Sequence, residues 1–325
     1  MSPQSPTTGS SDPAVTDAQQ ASIQPPSVDS PDVDVIDLPS GKELKESSAV
    51  ALAQSTPVRW IVIAGQASSG KTTLLTSLYE LFQWGKIEGC SFAGSKTLVA
   101  FEERCHYSRL ASDRSSPDTP RTPYSPIANF LHLKVLPPGQ VPIPIDFLFT
   151  DVSGEMFEHA RHSTDECKQL IFLKRAATFV LVLDGEKAIR LDRRWAMVEE
   201  AKSLLRSCLD SSMLSTDCRV TVVWSKIDYF GIGAGDEGLI EFRAEVERVF
   251  RQTFGPRIAH LAFAEISARP TRAPQLGFGK GLSDLLRGWI RNYSQNEPLL
   301  LSPDPPIGER ESELFAVRRS PESGS

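Results

Sequence analysis

Residues 58–82 constrain the fold more than any other stretch of the chain. Val58-Arg59-Trp60-Ile61-Val62-Ile63-Ala64 is an apolar, β-rich run that reads as a buried strand. Thr73-Leu74-Leu75-Thr76-Ser77-Leu78-Tyr79-Glu80-Leu81-Phe82 reads as a helix. Between them stands Gly65-Gln66-Ala67-Ser68-Ser69-Gly70-Lys71-Thr72, which has the form G-x-x-x-x-G-K-[ST]. That pattern carries chemistry only in the order strand, glycine loop, helix. The flanking elements therefore weigh against a glycine-rich turn of no chemical meaning. Glycine lets the backbone curl so that its N–H groups surround phosphate oxygens. The candidate cradle is Gly65, Ala67, Ser68, Ser69, Gly70, Lys71, Thr72 and Thr73. The helix N-terminus adds its positive dipole end. Lys71 is placed to reach β- and γ-phosphates, and the Thr72 hydroxyl to ligate Mg²⁺, a cation that prefers oxygen ligands.

Three further segments follow in order. Ile145-Asp146-Phe147-Leu148-Phe149-Thr150-Asp151-Val152-Ser153-Gly154 is an apolar strand ending in D-x-x-G. A carboxylate at a strand's end can hold Mg²⁺, and the next glycine can bring its N–H to a γ-phosphate. The competing reading of Asp151 is a turn residue after a strand. Arg219-Val220-Thr221-Val222-Val223-Trp224-Ser225-Lys226-Ile227-Asp228 is another strand, and its end resembles the N/T-K-x-D element of GTP-binding proteins. The Asp228 carboxylate can accept two hydrogen bonds from guanine N1–H and its exocyclic amine, a donor pair that adenine lacks. A site built on such bonds rejects the analogue without them. The Lys226 stem can lie along the base. Ser225 departs from the usual Asn or Thr, yet its hydroxyl can still tie this loop to the phosphate loop. Leu261 to Arg269 is a short strand ending in Ser267-Ala268-Arg269, similar to the S-A-K loop whose backbone contacts the guanine oxygen.

The order of these elements resembles the Ras-like, translation-factor-related class of P-loop GTPases over residues 57–294. The stretches Cys90 to Leu98, Phe101-Glu102-Glu103-Arg104-Cys105, Pro117 to Thr122 and Asp151-Val152-Ser153-Gly154-Glu155 look more narrowly like bacterial double-GTPase or conflict-system GTPase domains. The resemblance implies bound GTP or GDP with Mg²⁺, a second GTPase-like partner or effector complex, and a role in a regulated, defence-related bacterial system.

A GTPase needs a segment that senses the γ-phosphate, usually through a threonine on the metal. Here the interval between the phosphate loop and the next strand is long, from about Gln83 to Asn129. Thr122 is the better-placed candidate and Thr119 the alternative. Arg121 is a candidate internal arginine finger, against a reading as a solvated loop arginine. Glu155 stands where many such enzymes carry a water-positioning glutamine. Its charge would repel a γ-phosphate, which implies slow intrinsic hydrolysis, accelerated by a partner. The alternative is a nucleotide-binding scaffold with little or no hydrolysis, favoured by Glu155 and Ser225. Intact Lys71, Thr72 and Asp151 favour the hydrolytic switch.

The remaining strand Thr178 to Gly185, with helices over 193–210, 239–250 and 282–293, completes a three-layer α/β/α sandwich around a mostly parallel sheet. Trp195, Val198, Ala201 and Leu205 recur at helical spacing and read as core. Asp184 reads as a structural turn residue. Residues 1–56 and 295–325 are rich in Pro, Ser and charge and read as disordered tails around the 57–294 domain. A net charge of −6 and the lack of a basic stripe argue against nucleic acid. No run is long enough to span a bilayer, and the N-terminal residues lack a signal pattern, so cytoplasm is the expected location. Five cysteines without C-x-x-C spacing read as free thiols, several of them buried.

Overall fold

Successive residues of a strand point to opposite faces of its sheet, and here both faces are covered. The computed structural model describes residues 40–106, 122, 125, 127–140, 142–230 and 237–291. All of them fall in the compact unit that begins at Pro39. The elements run β1 (Leu44–Lys45), α1 (Glu46–Ser55), β2 (Val58–Gly65), α2 (Lys71–Trp84), β3 (Ser91–Gly94), α3 (Leu98–His106), β4 (Asn129–Leu136) and β5 (Ile145–Asp151). They continue through α4 (Gly154–His162), α5 (Thr164–Gln169), β6 (Ala176–Asp184), α6 (Gly185–Ala188), α7 (Arg194–Asp210), β7 (Arg219–Ser225), α8 (Glu237–Phe254), β8 (Leu261–Glu265) and α9 (Leu282–Arg291).

The strands form one sheet in the order β1-β4-β5-β2-β6-β7-β8, with β3 also paired to β4. β5, β2, β6, β7 and β8 are parallel neighbours. β4 runs antiparallel to β5, and β1 and β3 run antiparallel to β4. This is the expected three-layer architecture. Trp60, Val62 and Ala64 of β2 join a core with α1, α4, α5, α7 and α8. The intervening Ile61 and Ile63 join the opposite core with α2, α3 and α9. That is why β2 reads as a continuous apolar run rather than an alternating one. In α8, Phe242, Val246, Phe250 and Phe254 recur every four residues and are all buried.

Two expectations need correction. Residues 44–55, assigned to a disordered tail by composition, form β1 and α1. Leu44 and Lys45 pair with Phe130 and Asn129, and Ala49 and Leu52 are buried in the core. The sheet edge at β4 supplies the partner that local composition could not reveal. On α7, Val198, Ala201 and Leu205 are core, but Trp195 is 41% exposed and sits edge-on to Phe242. Met197, Leu204 and Cys208 complete the buried stripe instead. The tail expectations for 1–39 and 295–325 lie outside the described residues. All five cysteines are free and buried. No helix among the described residues is long and apolar enough to cross a membrane.

Candidate functional site

β2 ends at Gly65 in the middle of the sheet, and the chain turns over the strand ends before α2 begins. The turn uses backbone that most side chains avoid: Ser68 has φ 62° and Gly70 φ 89°. No side chain caps the start of α2, so its first N–H groups remain for a ligand. Lys71 Nζ donates to the carbonyls of Gly65 (3.0 Å) and Gln66 (2.9 Å), folding the side chain back over the loop. Ala67, Ser68, Ser69, Gly70, Lys71, Thr72 and Thr73 line one cleft of about 340 Å³, together with Thr122, Gly154 and Lys226.

Thr72 and Thr122 line this cleft from distant segments, and the buried Asp151 carboxylate stands behind Thr122. Thr72 Oγ1 is 2.8 Å from Thr122 Oγ1, and Thr122 Oγ1 lies 3.4 Å from Asp151 Oδ1. Hydroxyl and carboxylate oxygens are the donors a small divalent cation takes, with water and phosphate filling the rest of its shell. The donor set thus fits Mg²⁺. Thr122 is the described threonine of its loop; Thr119 and Arg121 lie outside the described residues. Gly154 packs directly on the phosphate loop. A Cβ added there would fall 2.3 Å from the Ala67 nitrogen, so only glycine fits. Glu155 follows in the first turn of α4.

A second cavity, of about 260 Å³, adjoins the first and shares Gly70, Thr73, Glu186 and Lys226 with it. Asp228, Ser267, Ala268 and Arg269 line it. Asp228 is buried, and its carboxylate already accepts three hydrogen bonds: Ser267 Oγ at 2.6 Å, Thr271 N at 3.0 Å and Arg272 N at 3.2 Å. Ser225 Oγ donates to Ser69 O at 2.8 Å, the expected tie between the two loops. Lys226 has φ 52°, and its Nζ lies 3.1 Å from both Asp184 and Glu186. Burial opposes its charge, but these two carboxylates outweigh that and raise its pKa. The Arg269 guanidinium pairs with Glu80 and lies over the Phe278 ring.

Sequence reasoning misses two participants. Asp184 is more than a turn residue: it caps α6 by accepting from Glu186 N at 3.0 Å and also holds Lys226. Its position at a strand end is the available signal. The second is Arg104 on α3, which pairs with both Asp151 and Glu43. It lies in the Phe101–Cys105 stretch that carries the family resemblance, but nothing local assigns it a role, because α3 reaches Asp151 only through the tertiary fold.

The family model described as Double-GTPase 2 matches residues 59–290. No curated protein matches the chain. Among solved structures, the bacterial selenocysteine-specific elongation factor aligns at 14% identity over 72% of this chain, with a TM-score of 0.36. The chain spans only 28% of that protein. The signal recognition particle receptor SRb-GTP/SRX complex from Chaetomium thermophilum aligns at 17% identity, covering 72% of this chain and 98% of that one, with a TM-score of 0.38. The S. cerevisiae Ski7 GTPase-like domain, bound to GDP and inorganic phosphate, aligns at 15% identity over 76% of this chain and 53% of its own, with a TM-score of 0.40.

Proposed function

Because the chain belongs to the Double-GTPase 2 family, we propose that it binds GTP and GDP with Mg²⁺ and hydrolyses GTP slowly, as a switch. The observation that carries this reading is the meeting of Thr72, Thr122 and Asp151 at the mouth of the phosphate loop. They come from three segments, and their shared chemistry is that of a magnesium nucleotide site. Thr72, Thr122 and Asp151 would hold Mg²⁺, which would supply positive charge against the phosphate oxygens. Lys71 exchanges its loop carbonyls for phosphate. The Gly154 N–H, beside Ala67, meets the γ-phosphate. Thr122 and Gly154 belong to separate segments, so loss of that phosphate releases both.

Guanine is the favoured base. Asp228 offers a buried carboxyl acceptor in the adjoining cavity, and Ser267 and Ala268 offer backbone beside it. Glu155, a carboxylate next to Gly154, suits slow turnover, because a negative charge near the γ-phosphate opposes attack. A partner, a second GTPase-like protein in a bacterial, defence-related complex in the cytoplasm, would supply acceleration. Equilibrium binding of GTP, GDP and ATP with Mg²⁺ tests the reading, together with single-turnover hydrolysis by the isolated chain. Turnover of many per second without a partner would contradict the slow-switch proposal. The same carboxylate supports the second reading, a nucleotide-binding scaffold. GTP binding with no measurable hydrolysis, alone or with a partner, would favour it.

A further inference from the structure

Asp151 divides its two oxygens between two tasks. Oδ1 faces Thr122 Oγ1 at 3.4 Å. Oδ2 faces the other way and receives both Nε (3.0 Å) and Nη2 of Arg104. The Arg104 fork is fixed in turn. Nη1 donates to Ala100 O at 2.9 Å on its own helix, and Nη2 pairs with Glu43 Oε1 at 2.6 Å. The carboxylate is almost wholly buried, with a side-chain exposure of 2%, and Arg104 is itself only 16% exposed. Glu43 stands immediately before β1, so the segment that pairs with the β4 edge also holds this guanidinium.

We propose that Arg104 is a positioning residue for the magnesium site, holding Asp151 turned so that Oδ1 is the oxygen left for the metal, with Glu43 locking the guanidinium in place. This rests on the magnesium–nucleotide reading above. Two donors on one oxygen fix the carboxylate's rotation, which a single bond would not. Arg104 thereby links the chain around β1 to the metal through one side chain. It touches neither metal nor nucleotide, and its effect on both passes through Asp151.

The test is a Mg²⁺ titration of fluorescent GDP binding by the full chain, with parallel affinities in EDTA. Partners one step removed from a metal ligand typically contribute ten- to a hundredfold to metal affinity. Arg104→Gln is expected to raise the Mg²⁺ half-saturation concentration roughly tenfold or more, while leaving the EDTA affinity within about twofold. Arg104→Lys keeps the charge but loses the planar fork, and should restore part of the loss. Glu43→Gln, which empties no site, should shift the half-saturation in the same direction by a smaller factor and keeps the proposal testable if Arg104→Gln fails to fold. A magnesium-dependent wild type with unchanged half-saturation in both Arg104→Gln and Glu43→Gln would overturn the Arg104 role alone. A wild type that binds GDP equally with and without Mg²⁺ would overturn the magnesium site and this inference with it.

Discussion

Single side chains decide specificity at this site. Asp228 has three protein donors on its carboxylate, so it is already oriented before any base arrives. Guanine N1–H and the exocyclic amine must share or replace those donors. In Asp228→Asn one acceptor becomes an NH₂ group, opposed to the Thr271 and Arg272 N–H groups or to the base. Hydrogen bonds to a charged group are worth about 1.5–3 kcal/mol each, so guanine affinity should fall by roughly a hundredfold or more. Binding curves for GDP and ADP side by side check this; retained GDP affinity would remove Asp228 from base recognition. Gly154 is decided by space. A Cβ would meet the Ala67 backbone at 2.3 Å, and backbone yields less readily than a side-chain tip. Overpacking of this kind costs about 1–3 kcal/mol. Gly154→Ala should therefore melt several degrees lower and lose more affinity for a GTP analogue than for GDP. Equal losses for the two nucleotides would separate Gly154 from the γ-phosphate.

Elements show where sequence reading succeeds and where it stops. β2, β6 and β7 are legible because a strand buried on both faces is an unbroken apolar run. α8 is legible because four phenylalanine or valine positions fall four apart. α1 is not legible. Its sequence, ESSAVALAQS, buries only Ala49 and Leu52, too thin a stripe to stand out from the neighbouring polar chain. Its order comes from the β4 edge, which is distant in sequence. β3 is similarly short and paired only across the β4 edge. The site motifs read well because each sits at a strand end, where the chain must turn within a few residues. Arg104 reads poorly because its partner lies 47 residues away. If α1 belongs to the core, Leu52→Ala should cost about 2 kcal/mol or more, and a melting curve reads this directly. An unchanged melting temperature would return α1 to the status of an appendage. The loop after Ser267 carries a further expectation. Its Thr271 and Arg272 amides, bonded to Asp228 without nucleotide, should change hydrogen-exchange rate when GDP binds, and unchanged protection would mean the base leaves these bonds intact.

At the scale of the whole molecule, the sheet carries the site on one edge of its strands. The ends of β2, β5, β6, β7 and β8 bring Gly65, Asp151, Asp184, Ser225 and the Ser267 loop to one crevice, the usual ligand position in an open α/β sheet. The thiols report on the same packing. All five cysteines are buried. Burial pushes Cys218 up to about 12, whereas the hydrogen bond with Cys208 lowers Cys167 to about 7. The slow reaction expected of Cys167 therefore rests on its lack of exposure alone. Native protein should react slowly with a thiol reagent at neutral pH, whereas denatured protein should titrate fully. The central claim, a magnesium-dependent guanine nucleotide site at the phosphate loop, is tested most directly by equilibrium binding of fluorescent GTP, GDP and ATP analogues with Mg²⁺ to the wild type and Lys71→Ala. Tight binding of the guanine nucleotides alone, lost in Lys71→Ala, is the expected result. Equal ATP binding would contradict the guanine assignment, and guanine binding that survives Lys71→Ala would contradict the placement of the phosphates.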